Sequence, residues 1–283
     1  MNDIIRYGVD MAGRFLQLAG CNCATGRVVI NRLSRTDLDE SKPEMIDSSG
    51  RLQFSIPEEM AIIKRVKVPP DKNREGKELA EFEFLSTLLD KKEELYVDIT
   101  AVNGGTDYLV YGFHRHLIDE KKKFYEKMLI KPSGYKLRAS ALADGYHHFC
   151  WREGGELICL LDLSLSGGSF CFVNNSRPIF VGCIANNDDS PDGQNEIPES
   201  FLSDLKATIQ YHTAGLFKAG YTAPLSLVVV SGITAGNEIN NAIEEKLGIR
   251  TISPTIKTSL FAPEIVDRAG YFLVSLGLTV NDR

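Results

Sequence analysis

"LLDLSLSGGS" (residues 160–169) decides how the fold is read. An apolar run ends in a carboxylate, Asp162, and small residues follow it. A strand that delivers an aspartate to the edge of a phosphate pocket has this shape. The same shape stands earlier, in "YGVDMAGRFLQLAG" (7–20), with Asp10 in the corresponding place. Each stretch opens a three-strand meander. In the first half the strand-like runs are 4–9, 14–19 and 26–33, and a polar loop (35–50) follows. In the second half they are "ELICLLDLS" (156–164), "GSFCFVNN" (168–175) and "RPIFVGCIA" (177–185). The chain is therefore read as an internal duplication, in plan rather than in residues.

Between the meanders lies different material. "MAIIKRVKVPP" (60–70) is a strand stopped by its two prolines. Helical spacing over 77–89 comes from Leu79, Phe82, Leu85, Leu88 and Leu89. "ELYVDITAV" and "DYLVYGFH" form a hairpin across Asn103-Gly104-Gly105. A helix over 115–129 carries Leu117, Phe124 and Met128 on one face, and "GYKLRASAL" reads as a strand running into a helix over 141–149. Residues 75–138 are thus expected to form a small β-β-α-β unit. After the second meander comes an acidic loop, 186–200, read as flexible, then a helix over 199–219 with Leu202, Leu205, Ile209 and Leu216 inward. "LSLVVVSG" is apolar throughout, as a strand buried on both faces would be. Helices over 237–247 and 264–278 close the chain. Meanders with alternating helices give an α/β arrangement, a mixed sheet covered by helices.

The bulk numbers narrow the function. At 283 residues the chain holds one large domain or two lobes, and buries a full core without disulfides. A net charge of −6 argues against nucleic acid as main partner. No apolar run approaches ~18 residues, and the N-terminus lacks a signal-peptide pattern, so a cytosolic chain is expected. The six cysteines are then reduced, and Cys159, Cys171 and Cys183 read as small core residues. No CxxC pair or His cluster gives metal-ligand spacing, so no metal site is expected. His147 and His148 sit at adjacent helix positions and point apart, while His114 and His116 read as polar surface. The run 119–131 is a solvated helix face, and Trp151 is expected to pack at the hinge between lobes. There is no G-x-S-x-G, no P-loop and no G-x-G-x-x-G after a strand.

Two lobes that each open with strand–Asp–turn–strand–strand resemble the actin-like ATPase superfamily. The small inserted unit resembles the bacterial branch that contains the cell-division protein FtsA and the type IV pilus assembly protein PilM. "KVPPDKNREGKELAEFEFLSTLL", "EKKKFYEKMLIKPSGYKLRASALADG", "VVVSGITAGNEINNAIEEKLGI" and "YFLVSLGL" are similar to segments of PilM. The resemblance implies a two-lobed actin-like (ribonuclease H-like, duplicated) fold. The first lobe would span 1–74 plus 139–153, the inserted subdomain 75–138, and a reduced second lobe 154–283. Residues facing a nucleotide and Mg²⁺, if that site is retained, would be Asp10, Ala12, Gly13, Arg14, Asp162, Ser164, Ser231 and Gly232.

The chain departs from the family pattern at each turn. Asp-x-Gly-Ser/Thr is here Asp10-Met11-Ala12-Gly13, with Gln17 at an often basic position; Asp-x-Gly is Asp162-Leu163-Ser164; Ser-Gly-Gly is Ser231-Gly232-Ile233. Gly167-Gly168 read as part of the following strand-to-strand turn. PilM-like chains also carry a further subdomain, with a Glu/Lys pair reaching the nucleotide, where only the acidic loop 186–200 stands here. Taken alone, Asp10 and Asp162 are strand-end aspartates of the ordinary turn-capping kind; their matched positions speak for an ancestral site. The resemblance then implies a non-catalytic, cytoplasmic scaffold of a pilus or secretion machine. It would be peripheral to the inner membrane, and would dock the short cytosolic tail of a PilN-type membrane protein in a groove near 75–138. No cofactor is expected, or Mg-ATP if the site is retained. The alternatives are a working Mg-ATP switch and a small-molecule kinase of the same superfamily.

Overall fold

A computed structural model describes residues 4–24, 27–39, 50–70, 75–89, 92–103, 106–127, 131–164, 167–175, 177–185, 198–232 and 235–280. The chain runs β1 (Ile4–Ala12), β2 (Phe15–Ala24), β3 (Arg27–Asp37), β4 (Arg51–Ile56), β5 (Ala61–Lys67), α1 (Gly76–Ser86), β6 (Leu95–Asn103), β7 (Asp107–His114), α2 (Arg115–Lys127), β8 (Gly134–Leu137) and α3 (Arg138–Phe149). It continues with β9 (Leu157–Ser164), β10 (Gly167–Asn174), β11 (Arg177–Ala185), α4 (Glu199–Lys218), β12 (Leu225–Gly232), α5 (Asn237–Leu247), β13 (Thr251–Ile252), a 3-10 segment (Pro263–Phe272) and α6 (Leu273–Leu278).

The duplication is visible in the sheets. One five-stranded sheet has the order β3-β2-β1-β4-β8, the other β11-β10-β9-β12-β13. In both, the first strand pairs antiparallel with the second and parallel with the fourth. Hydrophobicity explains the central strands. Every residue of β9 is buried, and β12 is buried from Leu227 onward, because helices or the other lobe cover both faces. In β1, Tyr7 and Val9 point to one face, into a cluster with Leu16, Leu18, Leu52, Phe54 and Tyr125. Gly8 points to the other and meets α6, where a Cβ would stand 1.9 Å from the Ser275 carbonyl oxygen.

Helices α3 and α6 pass each other in very close contact beside the two sheets. Two glycines make that possible. A Cβ on Gly277 would stand 1.7 Å from the Ala141 oxygen, and one on Gly145 would stand 2.0 Å from the Leu273 oxygen. Interaxial distance is set by the side chains at the crossing, and at its closest points Gly145 and Gly277 present none. The approach fixes the N-terminus of α3 between the lobes.

The inserted unit is a separate antiparallel sheet, β5-β7-β6. Along β7, Tyr108 and Val110 pack with Ala80 and Phe84 of α1, while Leu109, Tyr111 and Phe113 face the main core. This sheet corrects the expected span 75–138. Its third strand, β5, comes from before that span, while β8 lies within it yet pairs with β4 in the first lobe. Pairing distant in sequence overrides local order here.

Other expectations also change. The strand β4 was not expected at all; it is short and follows a polar loop, yet lies parallel beside β1. On α2 the buried residues are Ile118 and Tyr125, not the Leu117–Phe124 stripe; Phe124 is 41% exposed. Both stripes have helical spacing, and the ring of Tyr125 finds Phe54 at 4.0 Å. Trp151 is 60% exposed rather than packed; its backbone N–H donates to the Thr255 carbonyl and Lys257 lies over its ring. Cys183 is exposed because β11 is an edge strand, whereas Cys159 and Cys171 are buried as expected. The final helix is mostly 3-10. Gly104-Gly105, Met128, Ile233 and loop positions 186–197 lie outside the described residues.

Candidate functional site

The two aspartates occupy equivalent places. Asp10 faces Gln17 across the first hairpin, and Asp162 faces Ser169 across the second. Both are fully buried. Between them lies a residue that sequence reasoning did not single out. Arg138, the first residue of α3, places Nη2 2.6 Å from Asp162 Oδ2 and 3.3 Å from Asp10 Oδ2. One guanidinium nitrogen therefore bridges the two lobes. The junction between β8 and α3 aims it there, and the glycine crossing of α3 with α6 holds that junction in place.

A second layer of polar groups completes the cluster. Ser55 of β4 donates to Asp10 Oδ1 at 2.5 Å. Glu58 follows the end of β4. Its Oε1 accepts the Ala139 backbone N–H at 2.6 Å, and its Oε2 accepts the Ser169 hydroxyl at 2.5 Å. Glu58 thus caps one of the unpaired N–H groups in the first turn of α3, where a carboxylate is favoured by the helix dipole. It also ties the first lobe to the residue opposite Asp162.

Charge balance shapes the protonation of this cluster. Burial of Glu58 pushes its carboxyl up from 4.5 to about 7, against the hydrogen bonds from Ser169 and Ala139 and the pull of Arg138. Burial also raises Asp162 to about 6; Arg138 pulls it back and Asp10 pushes it further up. For Arg138, burial alone lowers the pKa, but Asp10, Asp162 and Glu58 more than offset it, and the group is held charged well above its ordinary value. Three carboxylates thus share one fully buried cation, and Lys121 of α2 lies at the margin. Burial lowers the Lys121 ammonium, while Asp10 and Glu59 act to raise it.

The other expected site residues separate into two groups. Ser231 lies beside Asp162 in parallel register and donates to the Gly270 carbonyl at 2.9 Å. Gly232 has φ +102°, and a Cβ there would stand 2.1 Å from the Leu163 carbonyl oxygen. This glycine is required by the contact between neighbouring strands, without any ligand. Ser164 closes its own hairpin by donating to the Gly167 carbonyl at 3.1 Å. Ala12 ends β1, and Gly13, with φ +63°, turns the first hairpin. Arg14 pairs with Asp37 Oδ2 at 3.0 Å and lies over the Phe15 ring. Among the described residues, no group of three or more His, Cys, Asp or Glu side chains is arranged to hold a metal ion.

Comparison with known proteins rests on structure. No family model and no curated protein matches the sequence. Among solved structures, a chain of a PilM–PilN type IV pilus biogenesis complex aligns over 97% of both chains, at 13% identity and a TM-score of 0.65. This chain shares the actin-like fold, with the chain of that complex as its structural neighbour. The cytoplasmic domain of EpsL, an inner-membrane component of the Vibrio cholerae type II secretion system, aligns over 99% of this chain and 97% of its own, at 9% identity and a TM-score of 0.52. At those identities the likeness shows the fold. The PilM-type resemblance of the sequence segments and the two matched five-stranded sheets agree with it.

Proposed function

We propose that this chain is a non-catalytic, actin-like scaffold of a type IV pilus or related secretion machine, and that its nucleotide site has been replaced by an internal ion pair. The observation that carries this reading is Arg138 between Asp10 and Asp162. Mg²⁺ prefers an octahedral shell at about 2.0–2.1 Å and keeps several of its waters. A guanidinium nitrogen already in contact with both aspartates leaves no place for that shell. To admit the metal, Arg138 would have to leave two buried carboxylates, and breaking a buried ion pair costs about 3–5 kcal/mol. Taken from nucleotide affinity, a cost of that size weakens binding by roughly a thousandfold. The residues present therefore do not fit Mg-ATP, and no reaction step is assigned.

The structural neighbour comes from a PilM–PilN complex; that likeness supports a partner of the same kind, and a PilN-type tail docking beside the inserted unit is the reading we favour here. No helix among the described residues is long and apolar enough to cross a membrane. The scaffold would then be held at the inner membrane, on its cytoplasmic side, through that partner.

Calorimetric titration with Mg-ATP, on wild type and Asp10→Ala, tests the first part of this reading. The expected result is no binding heat at millimolar nucleotide in protein shown to be folded. Micromolar affinity that disappears in Asp10→Ala would replace this reading with the Mg-ATP switch.

A further inference from the structure

Helix α4 buries one line of side chains, Leu202, Leu205, Ile209 and Leu216, in the second lobe. Its opposite face is bare. At 3.6 residues per turn, positions four and seven away from a residue lie within about 40° of it around the helix. Centred on Tyr211, that spacing selects Asp204, Ala207, Gly215 and Lys218. All five residues are exposed. Tyr211 is 75% exposed, and a Cβ on Gly215 would meet no atom within 4 Å.

From its N-terminal end the face reads acid, small, aromatic, small, base. Tyrosine is enriched where proteins meet, and small residues let a second backbone come close. Among the described residues, the ion pair on α4 is Glu199 with Lys246. Asp204 and Lys218 have none with another described residue, so both charges are available to something outside the chain.

The order of these residues names the occupant. The five positions are symmetric about Tyr211, and the charges at the two ends are opposite. Consider a second copy of α4 laid antiparallel, with the two-fold axis at Tyr211. Residues equidistant from Tyr211 then stand opposite each other. Asp204 of each copy meets Lys218 of the other, Ala207 meets Gly215, and the two rings meet at the axis. A parallel pair would instead set Asp against Asp and Lys against Lys. A surface that is its own complement is what an isologous interface requires.

We propose that α4 is a self-association surface. Two copies of this chain pair antiparallel through it, with Tyr211 at the two-fold axis and an Asp204–Lys218 pair on either side. The inference is independent of the scaffold reading and of the buried ion pair.

A single helix pair lies at the low end of specific interfaces, so the expected association is weak, with a Kd on the order of 10–100 μM. Sedimentation equilibrium of the full chain, taken up to about 500 μM, measures it. Asp204→Lys and Lys218→Glu each turn both opposite-charge pairs into like-charge pairs. Each alone is expected to weaken dimerisation about tenfold or more. Mixed in equal amounts, the two variants should pair with each other at wild-type strength, because every opposed pair is again of opposite sign. Carrying both changes in one chain should likewise restore self-association. Matched thermal melts serve as the folding control. A wild type that stays monomeric across the whole range overturns the proposal and leaves the face to a partner of different sequence. A dimer that neither single variant weakens overturns it too, since the copies would then meet elsewhere. Losses that neither the mixture nor the double variant restores overturn the antiparallel pairing itself.

Discussion

Replacing Arg138 by Met removes the cation between the lobes while keeping much of the side-chain volume. In wild type one nitrogen lies 2.6 Å from Asp162 Oδ2 and 3.3 Å from Asp10 Oδ2. At an effective dielectric of about 20, each contact is worth roughly 5–6 kcal/mol of Coulomb attraction. Desolvation of the three charges cancels much of that. The net cost of leaving the carboxylates unpaired is about 3–5 kcal/mol. Against a typical domain stability of about 5–15 kcal/mol, this is a large share. The deficit also depends on pH. Without Arg138, the carboxyls of Asp162 and Glu58 rise further above their unfolded values. Groups raised in this way contribute stability that is fully present below the unfolded pKa and is lost as pH rises through the folded one. The deficit of the variant relative to wild type is therefore large at pH 8 and smaller at pH 5. Guanidinium chloride unfolding followed by far-UV circular dichroism measures it at both pH values; Trp151, 60% exposed, reports poorly on the core. A deficit below about 1 kcal/mol at pH 8, or one of equal size at both pH values, would refute the assignment of Arg138 as the buried counterion.

Two further outcomes follow from the same structure. Glu58 rises from 4.5 to about 7, so its contribution is complete below about pH 4.5 and is lost as pH rises through 7. Glu58→Gln is expected to flatten the pH dependence of stability between pH 5 and 8, and to gain on wild type by up to about 3 kcal/mol at pH 8; an unchanged slope in paired denaturant curves contradicts this. The two helix glycines Gly277 and Gly215 are expected to behave oppositely. Gly277→Ala drives a methyl to within 1.7 Å of a backbone oxygen and should cost more than about 3 kcal/mol or abolish folding, because neither helix can move away. Gly215→Ala, in open space on α4, should stabilise by about 0.5–1 kcal/mol. Thermal melts rank them, and similar melting temperatures for the two variants would show that the α3–α6 crossing is not tight.

Local signals carried most of the architecture. The uninterrupted apolar runs of β9 and β12 and the periodic faces of α4 and α5 are written in neighbouring residues, and the folded elements follow them closely. The duplication was legible because "YGVD" and "CLLD" repeat an apolar run that leads into Asp, although in the fold both strands run two residues beyond it. The centre of the site was not legible. Arg138 sits in "KLRASAL", where nothing nearby marks it as a buried cation. Its partners arrive from β1 and β9, and only the finished sheets bring them together. Ser55 was lost with β4, and Glu58 sits in the short turn that follows it. On α2, periodicity offered two adjacent stripes, and a contact with Phe54 on another element selected one of them. The glycine at 232, which looks like a ligand-facing residue in the sequence, is explained by the proximity of Leu163.

A metal or a nucleotide joins a protein by mass action, so whatever it holds shut loosens when its concentration falls. Arg138 is part of the chain. It cannot diffuse away, be chelated or be spent, and the carboxylates around it hold it charged against the pull of burial. On the reading proposed above, a fold fastened at its middle in this way carries its clasp with it, and its inner geometry is settled once, when the chain folds.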